Sequence, residues 1–284
     1  MTEDAPAKIN LCLFVGPTRA DGRHELVSVM ESISLSDTLR LEAAEGERDE
    51  VVCDGVEDTL VTGALAAFRE ATGWDGAPVR ITIDKRIPVA AGLGGGSADA
   101  AAALRLAERA SGRERDDALL HALATQLGSD VPGQVRPGRV LATGAGERIE
   151  RLPAPEPYGV LVLPSGEHLS TPAVYAEADR LGLPRSAGQL REALDAVRRD
   201  GPPAVNDLQD AARSLCPSID EALDAARAAG ARDAMVAGAG PTVLGLFDTP
   251  EQAERAAAEL AGRDPAPIAA RPAVVAPTRH NARP

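Results

Sequence analysis

The run Gly92-Leu93-Gly94-Gly95-Gly96-Ser97 is the stretch of this chain best suited to chemistry. Without side chains in the way, several backbone N–H groups can close around phosphate oxygens. A helix read from Ser97 to Ala110 would point its positive N-terminal end at the same spot. No Gly-Lys-Ser/Thr closes the run, so it is not a P-loop, and Ser97 holds the third glycine position of the dinucleotide fingerprint. The competing reading is a plain strand-to-helix turn with Ser97 as its N-cap. Three adjacent glycines, however, cost more chain entropy than such a turn requires.

Lys8 and Asn10 form a second candidate. Of the 30 basic residues only Lys8 and Lys85 are lysine. In an arginine-rich chain a retained lysine points to a need for a compact charge rather than a planar fork; for both, chance persistence is the alternative. Asp130, before Val131-Pro132, reads either as a loop or N-cap residue or as a carboxylate base. His24, in a loop of glycine and charge, reads as exposed or as a ligand to substrate. Tyr175, after Ser170-Thr171-Pro172, reads as a core residue or as a ring that stacks on a base or sugar. His121 and His280 read as structural or solvated, and His168 is left unassigned.

These residues need elements to hold them. Ala5–Val15 alternates with period two, with Ala7, Ile9, Leu11 and Leu13 on one face and Lys8, Asn10, Cys12 and Phe14 on the other, which predicts a strand. Pro17–His24 predicts a loop, Leu26–Leu35 and Thr38–Ala43 two extended segments, and Gly46–Asp58 an acidic loop. Thr59–Thr72 reads as a helix and Val79–Ile83 as a strand. A helix over Arg115–Leu127 ends at Gly128, where glycine is expected to supply a left-handed stop. Val135–Glu150 reads as short hairpin strands. Leu152–Pro157 is the boundary candidate, dividing 1–153 from 154–284. Beyond it, strands are expected at Gly159–Leu163, Ala234–Val236, Thr242–Phe247 and Ile268–Val275. Helices are expected at Thr171–Leu181, Gln189–Arg199, Leu208–Leu215, Ile219–Ala229 and Pro250–Gly262, with a turn at Gly238–Pro241 and a frayed tail from Pro277.

Length and composition set the bounds. The chain has 284 residues, 44% hydrophobic and 26% charged, with a formal net charge of −13. It is ordered globular protein of one large or two medium domains. The acidic balance argues against nucleic-acid or anionic-membrane partners. No apolar run reaches the ~18 residues of a membrane helix, and MTEDAPAKIN lacks the features of a secretory signal. Cys12, Cys53 and Cys216 form neither a disulfide framework nor a zinc set, so a reducing cytoplasm is expected. An anionic ligand would need a local island of positive potential.

Taken together, these segments resemble the GHMP kinase superfamily over most of the chain. Residues 5–11 (APAKINL) resemble its first motif, 19–26 (RADGRHEL) its substrate loop and 88–101 (PVAAGLGGGSADAA) its phosphate-binding motif. Residues 127–132 (LGSDVP) resemble the segment with the catalytic aspartate, 170–172 with Tyr175 the substrate-side helix start, and 238–242 (GAGPT) the third, glycine-rich motif.

The resemblance implies a two-domain α+β fold. A ribosomal S5 domain 2-like N-terminal domain (1–153) and a ferredoxin-like C-terminal domain (154–284) would flank an active-site cleft. It implies transfer of the ATP γ-phosphoryl group, with Mg²⁺, to a small alcohol. The pairing of 21–24 (DGRH) with 170–172 (STP) points to the branch whose alcohol carries a cytidylyl group. Lys8 and Asp130 are implied as catalytic. Pro88, Val89, Ala90, Ala91, Gly92, Leu93, Gly94, Gly95, Gly96, Ser97 and Ala98 are implied to bind ATP, with Ser97 near the metal or the β-phosphate. Asn10 and Thr171 would hold the polyol, His24 the cytosine edge, and Tyr175 would stack on the base.

Two departures stand out. Arg23 occupies a position that is usually Tyr, where a guanidinium could stack on a base instead. Ala237 and Ala239 stand where hydroxyl residues are common. Rival readings are a GHMP kinase for homoserine, mevalonate or a sugar, a non-catalytic nucleotide sensor on the same fold, and a Rossmann oxidoreductase. The last is disfavoured by glycines at residue 92 rather than near the N-terminus. A monomer or homodimer is expected.

Overall fold

The computed structural model describes residues 1–54 and 59–273. Expectations for Val274, Val275, His280 and the tail from Pro277 lie outside the described residues.

Two antiparallel strands dominate the first half: β1 (Thr2–Thr18) and β2 (His24–Ala43). The two segments expected at 26–35 and 38–43 are one strand. Its first half pairs with β5 (Arg139–Gly144), from Leu26↔Gly144 to Glu31↔Arg139. Its second half pairs with β4 (Val79–Asp84), from Thr38↔Asp84 to Ala43↔Val79. Each half thus has its own neighbour on the edge away from β1, which carries the backbone through the polar Ser34–Asp37 stretch. The expected acidic loop contains a strand, β3 (Glu50–Cys53), paired parallel to β4. β6 (Arg148–Arg151) closes a hairpin on β5.

Helix α2 (Gly95–Ala110) lies on this sheet, and α1 (Thr59–Thr72) and α3 (Asp117–Leu127) pack against α2. Ala98 and Ala100 to Ala103 of α2 are buried beside Leu104, Leu106, Phe68 and Ile81. Side chains this small let the helix approach the sheet closely. After α3 the chain turns into the four-residue α4 (Val131–Gln134). Gly128 has φ 164 and ψ 163. That is extended backbone, so the left-handed stop expected there does not form.

A second sheet of order β11-β7-β10-β9 is antiparallel throughout: β7 (Gly159–Leu163), β9 (Asp233–Val236), β10 (Val243–Phe247) and β11 (Ile268–Ala270). α8 (Ser218–Ala228) and α9 (Pro250–Glu259) pack on it, while α5 (Thr171–Arg180) packs against α7 (Gln209–Leu215). The fold is α+β with two sheets, as expected. One element had no sequence signal: β8 (Val205–Asn206) adds to the first sheet, parallel to β1 at Cys12↔Val205. With α6 (Ala187–Asp200) against β1, it ties the second half of the chain to the first.

Candidate active site

Strand β1 is regular except at three register shifts, between Pro6 and Lys8, Asn10 and Cys12, and Val15 and Thr18. Two of them bracket the Lys8–Asn10 pair, and such bulges re-aim side chains. Both side chains leave the sheet on the same face, as their period requires. Lys8 Nζ donates to Asn10 Oδ1 at 2.9 Å and Asn10 Nδ2 to Ser28 Oγ at 2.7 Å, while Ser28 Oγ donates to the Cys12 carbonyl at 2.8 Å. The chain of bonds fixes the amide orientation and leaves the ammonium aimed into a cleft of about 680 Å³.

Asp130 meets that ammonium: Lys8 Nζ lies 3.2 Å from Asp130 Oδ2. Asp130 holds the N-cap position of α4, yet its side chain makes no cap bond. The N-cap reading is therefore satisfied in backbone position only, and the carboxylate is left facing the cleft. The Asp130 side chain is 39% exposed against 7% for Lys8, so the cation is fixed and the carboxylate is accessible to a ligand.

The glycine run forms the adjoining wall. Gly92 and Gly94 have φ of +72° and +68°. A Cβ on Gly92 would lie 2.2 Å from the Ala237 carbonyl oxygen, and one on Gly94 would lie 2.9 Å from Lys8 Cγ. Glycine is required at both by conformation and by close approach together. Ala90, at φ 56°, is strained without being glycine, as residues at functional loops often are. Helix α2 begins at Gly95 with Gly94 as N-cap and no side-chain cap bond. Ser97 is thus inside the first turn rather than the N-cap, and no side chain competes for the first amides.

Of the residues expected to bind ATP, Gly92, Gly94 and Ser97 line the cleft. Leu93 and Ala98 are buried in the core, although the Leu93 carbonyl accepts the Lys8 N–H at 2.9 Å. Gly95 backs onto Ile87 and Lys85, and Val89 is exposed. The turn at 237–240 closes on the same loop, with its Gly238 near Lys8 and Asn10. Asn206 holds that turn by donating to the Val236 and Gly238 carbonyls at 2.8 and 2.7 Å.

The far end of the cleft is polar and aromatic. His24 Nε2 lies 2.9 Å from Asp179 Oδ1 and 3.3 Å from Thr18 Oγ1. The His24 and Tyr175 rings are 5.1 Å apart and tilted by 32°. Tyr175 is therefore part of the cleft wall as well as packed. Burial, with the Asp130 charge adding to it, pushes its phenol up to about 12. Thr171 and Pro172 line the same end. Arg23 does not lie free to stack on a base: its Nε and Nη2 donate to Asp21 Oδ2 at 3.2 and 2.9 Å.

Lys85 is structural. Its Nζ sits 2.6 Å from Asp37 Oδ2 and 2.7 Å from Asp99 Oδ2, both on fully buried side chains, and it does not line the cleft. His121 lies 3.1 Å from the Glu147 carbonyl oxygen, and His168 is exposed and does not line the cleft. Cys12 is buried, and desolvation pushes its thiol up to about 11.

Sequence reasoning missed Ser28, Asp179 and Asn206. Asp179 had a signal, because Thr171, Tyr175 and Asp179 are spaced by four on one helix face. Ser28 and Asn206 depend on strand register and on a two-residue strand, which no local pattern encodes.

A profile of the GHMP kinases N terminal domain matches residues 59–138, and one of the GHMP kinases C terminal region matches residues 181–265. The chain belongs to the GHMP kinase family. It is 40% identical over 277 residues to the 4-diphosphocytidyl-2-C-methyl-D-erythritol kinase of Nocardia farcinica, covering 91% of this chain and 88% of that one. It is 42% identical over 275 residues to the kinase of the same name from Anaeromyxobacter dehalogenans, covering 91% and 84%. A crystal structure of 4-(cytidine 5'-diphospho)-2C-methyl-D-erythritol kinase superimposes with a TM-score of 0.77 at 35% identity, covering 95% of this chain and 98% of that one. A mevalonate kinase structure shares the fold at a TM-score of 0.70 and 12% identity, covering 96% and 98%.

Proposed function

We propose that this chain is an ATP-dependent kinase that phosphorylates the 2-hydroxyl of 4-diphosphocytidyl-2-C-methyl-D-erythritol, a step of non-mevalonate isoprenoid precursor synthesis. The relatives near 40% identity support that acceptor over those of other GHMP kinases. The single observation that carries the chemistry is Lys8 Nζ, 3.2 Å from Asp130 Oδ2 beside the glycine loop.

In this reading the backbone amides at 92–97 and the start of α2 hold the triphosphate. The acceptor oxygen attacks the γ-phosphorus, its proton passes to the Asp130 carboxylate, and ADP leaves. Lys8 neutralises charge that grows on the transferred group. The work is positioning and electrostatics. Asn10 and Thr171 hold the polyol, His24 the cytosine edge, and Tyr175 stacks on the base.

Mg²⁺ fits this donor set. The hydroxyl of Ser97 is a hard oxygen donor that faces the cleft. Among the described residues no group of three or more His, Cys, Asp or Glu could hold a metal, which suits an ion held mainly by substrate phosphates. When bound, the metal would supply positive charge that offsets the charge of the phosphates. Ser97 is the residue placed to touch it.

The same proposal divides the chain at 153/154, between β6 of the first sheet and β7 of the second, with β8 crossing back to the first. It places the protein in the cytoplasm as a monomer or homodimer. No helix among the described residues is long and apolar enough to cross a membrane. A coupled ADP-release assay tests the function. Turnover is expected with the diphosphocytidyl alcohol and a far lower kcat/KM with the same alcohol lacking cytidine. Equal rates with the two would reject cytidine recognition.

A further inference from the structure

A second cavity, of about 840 Å³, shares no lining residue with the cleft. Its wall is formed by the start of β1, the middle of β2, residues 135–137 after α4, and residues 271–273 after β11. In a chain of net charge −13 it is faced by five arginines, at 105, 115, 136, 151 and 271, against Glu3 and Asp4.

Two of the three carboxylates nearby are shared between arginines, while Asp4 forms no ion pair among the described residues and accepts from Thr38 Oγ1 at 3.3 Å. Glu3 is shared by Arg105 and Arg109, at 2.7 and 2.9 Å. Asp117 is shared by Arg115, at 2.8 Å, and Arg136. Arg151 forms no ion pair among the described residues, although the Asp117 charge reaches it, and it donates to the carbonyl oxygens of Arg136 and of Pro137, the latter at 2.8 Å. Burial and the Arg136 charge push its pKa down, against an opposing pull from the Asp117 charge. The side chain of Arg271 likewise has no ion pair among the described residues, while its N–H donates to Ser34 Oγ at 3.2 Å.

Adjacent guanidiniums with one shared carboxylate repel each other, and planar forks suit bidentate phosphoryl oxygens. The space exceeds what a single phosphate fills, and the two arginines without a close ion pair, Arg151 and Arg271, come from separate segments; only the more distant charges of Asp117 and Glu251 reach them. We propose that this cavity is a second, non-catalytic site for a small molecule carrying a diphosphate group, gripped by Arg136, Arg151 and Arg271. The site does not depend on the reaction assigned to the cleft.

The test is calorimetric titration of the full-length protein with pyrophosphate, the cleft first saturated with a non-hydrolysable ATP analogue. One further equivalent of pyrophosphate per chain is expected, bound about tenfold or more tightly than orthophosphate. Arg151→Gln and Arg271→Gln are each expected to weaken it by about tenfold or more, with binding of the ATP analogue unchanged. Since the Arg271 side chain has no ion pair to lose, its variant decides the matter if Arg151→Gln fails to fold. Absence of the extra equivalent, equal affinity for the two anions, or indifference to Arg271→Gln would overturn the site.

Discussion

Lys8 Nζ lies between two oxygen partners, 2.9 Å from Asn10 Oδ1 and 3.2 Å from Asp130 Oδ2. The first bond is part of a buried chain that runs to Ser28 and the Cys12 carbonyl. The second crosses to a residue 122 positions away in sequence. A fixed ammonium is thereby set against an accessible carboxylate at the edge of an amide-lined loop.

Lys8→Arg keeps the charge and changes its shape. A longer planar fork cannot put one point charge where Lys8 Nζ sits, between Asn10 Oδ1 and Asp130 Oδ2. Turnover is expected to fall by about 10²-fold or more, in line with the loss of one preorganised stabilising group, with the melting temperature nearly kept. Steady-state kinetics beside a thermal melt check this, and full activity would mean that any cation serves.

Gly92→Ala and Gly112→Ala make a matched pair. Both glycines have positive φ, +72° and +68°, but a Cβ at 112 meets nothing within 4 Å, whereas at 92 it meets the Ala237 carbonyl oxygen at 2.2 Å. Each is expected to cost about 1 kcal/mol in backbone strain. Only Gly92→Ala should also lose turnover and ATP binding, read by kinetics and nucleotide titration.

Tyr175 bears on pH dependence. Burial and the Asp130 charge both disfavour the phenolate, raising the group to about 12. The ring therefore stays a neutral O–H donor at every working pH and contributes no ionisation. The kcat/KM profiles of wild type and Tyr175→Phe are expected to run parallel from pH 6 to about 10, offset by a constant factor. A basic limb present only in the wild type would show that the phenol titrates.

Lys85→Met probes the buried ion triad. It leaves Asp37 and Asp99, both fully buried, without the cation that joins them, at a cost of about 3–5 kcal/mol. Urea unfolding should show a large loss of stability. A loss within 1 kcal/mol would place Lys85 among ordinary surface pairs.

Much of this was legible because it is local. The alternation in β1 put Lys8 and Asn10 on one face, and the glycines marked their own loop. The joining of 26–35 and 38–43 into one strand was not legible, because the partners β5 and β4 that support each half lie far off in sequence. Gly128 shows the limit of reading a residue type as a conformation: its backbone is extended, and the chain turns into α4 without a left-handed residue there. Arg23 shows a similar limit, since its fork is taken up by Asp21 two residues away. The meeting of Lys8 with Asp130 came from family resemblance rather than pattern, because no periodicity links strand β1 to the start of α4.

The most direct test is Asp130→Asn, which removes the proton acceptor and keeps the shape. Turnover is expected to fall by about 10²–10⁴-fold, while ATP-analogue affinity, set by the loop at 92–97, changes little. Near-native turnover in this variant would contradict a proton-accepting role for Asp130 and with it the chemistry assigned to the cleft.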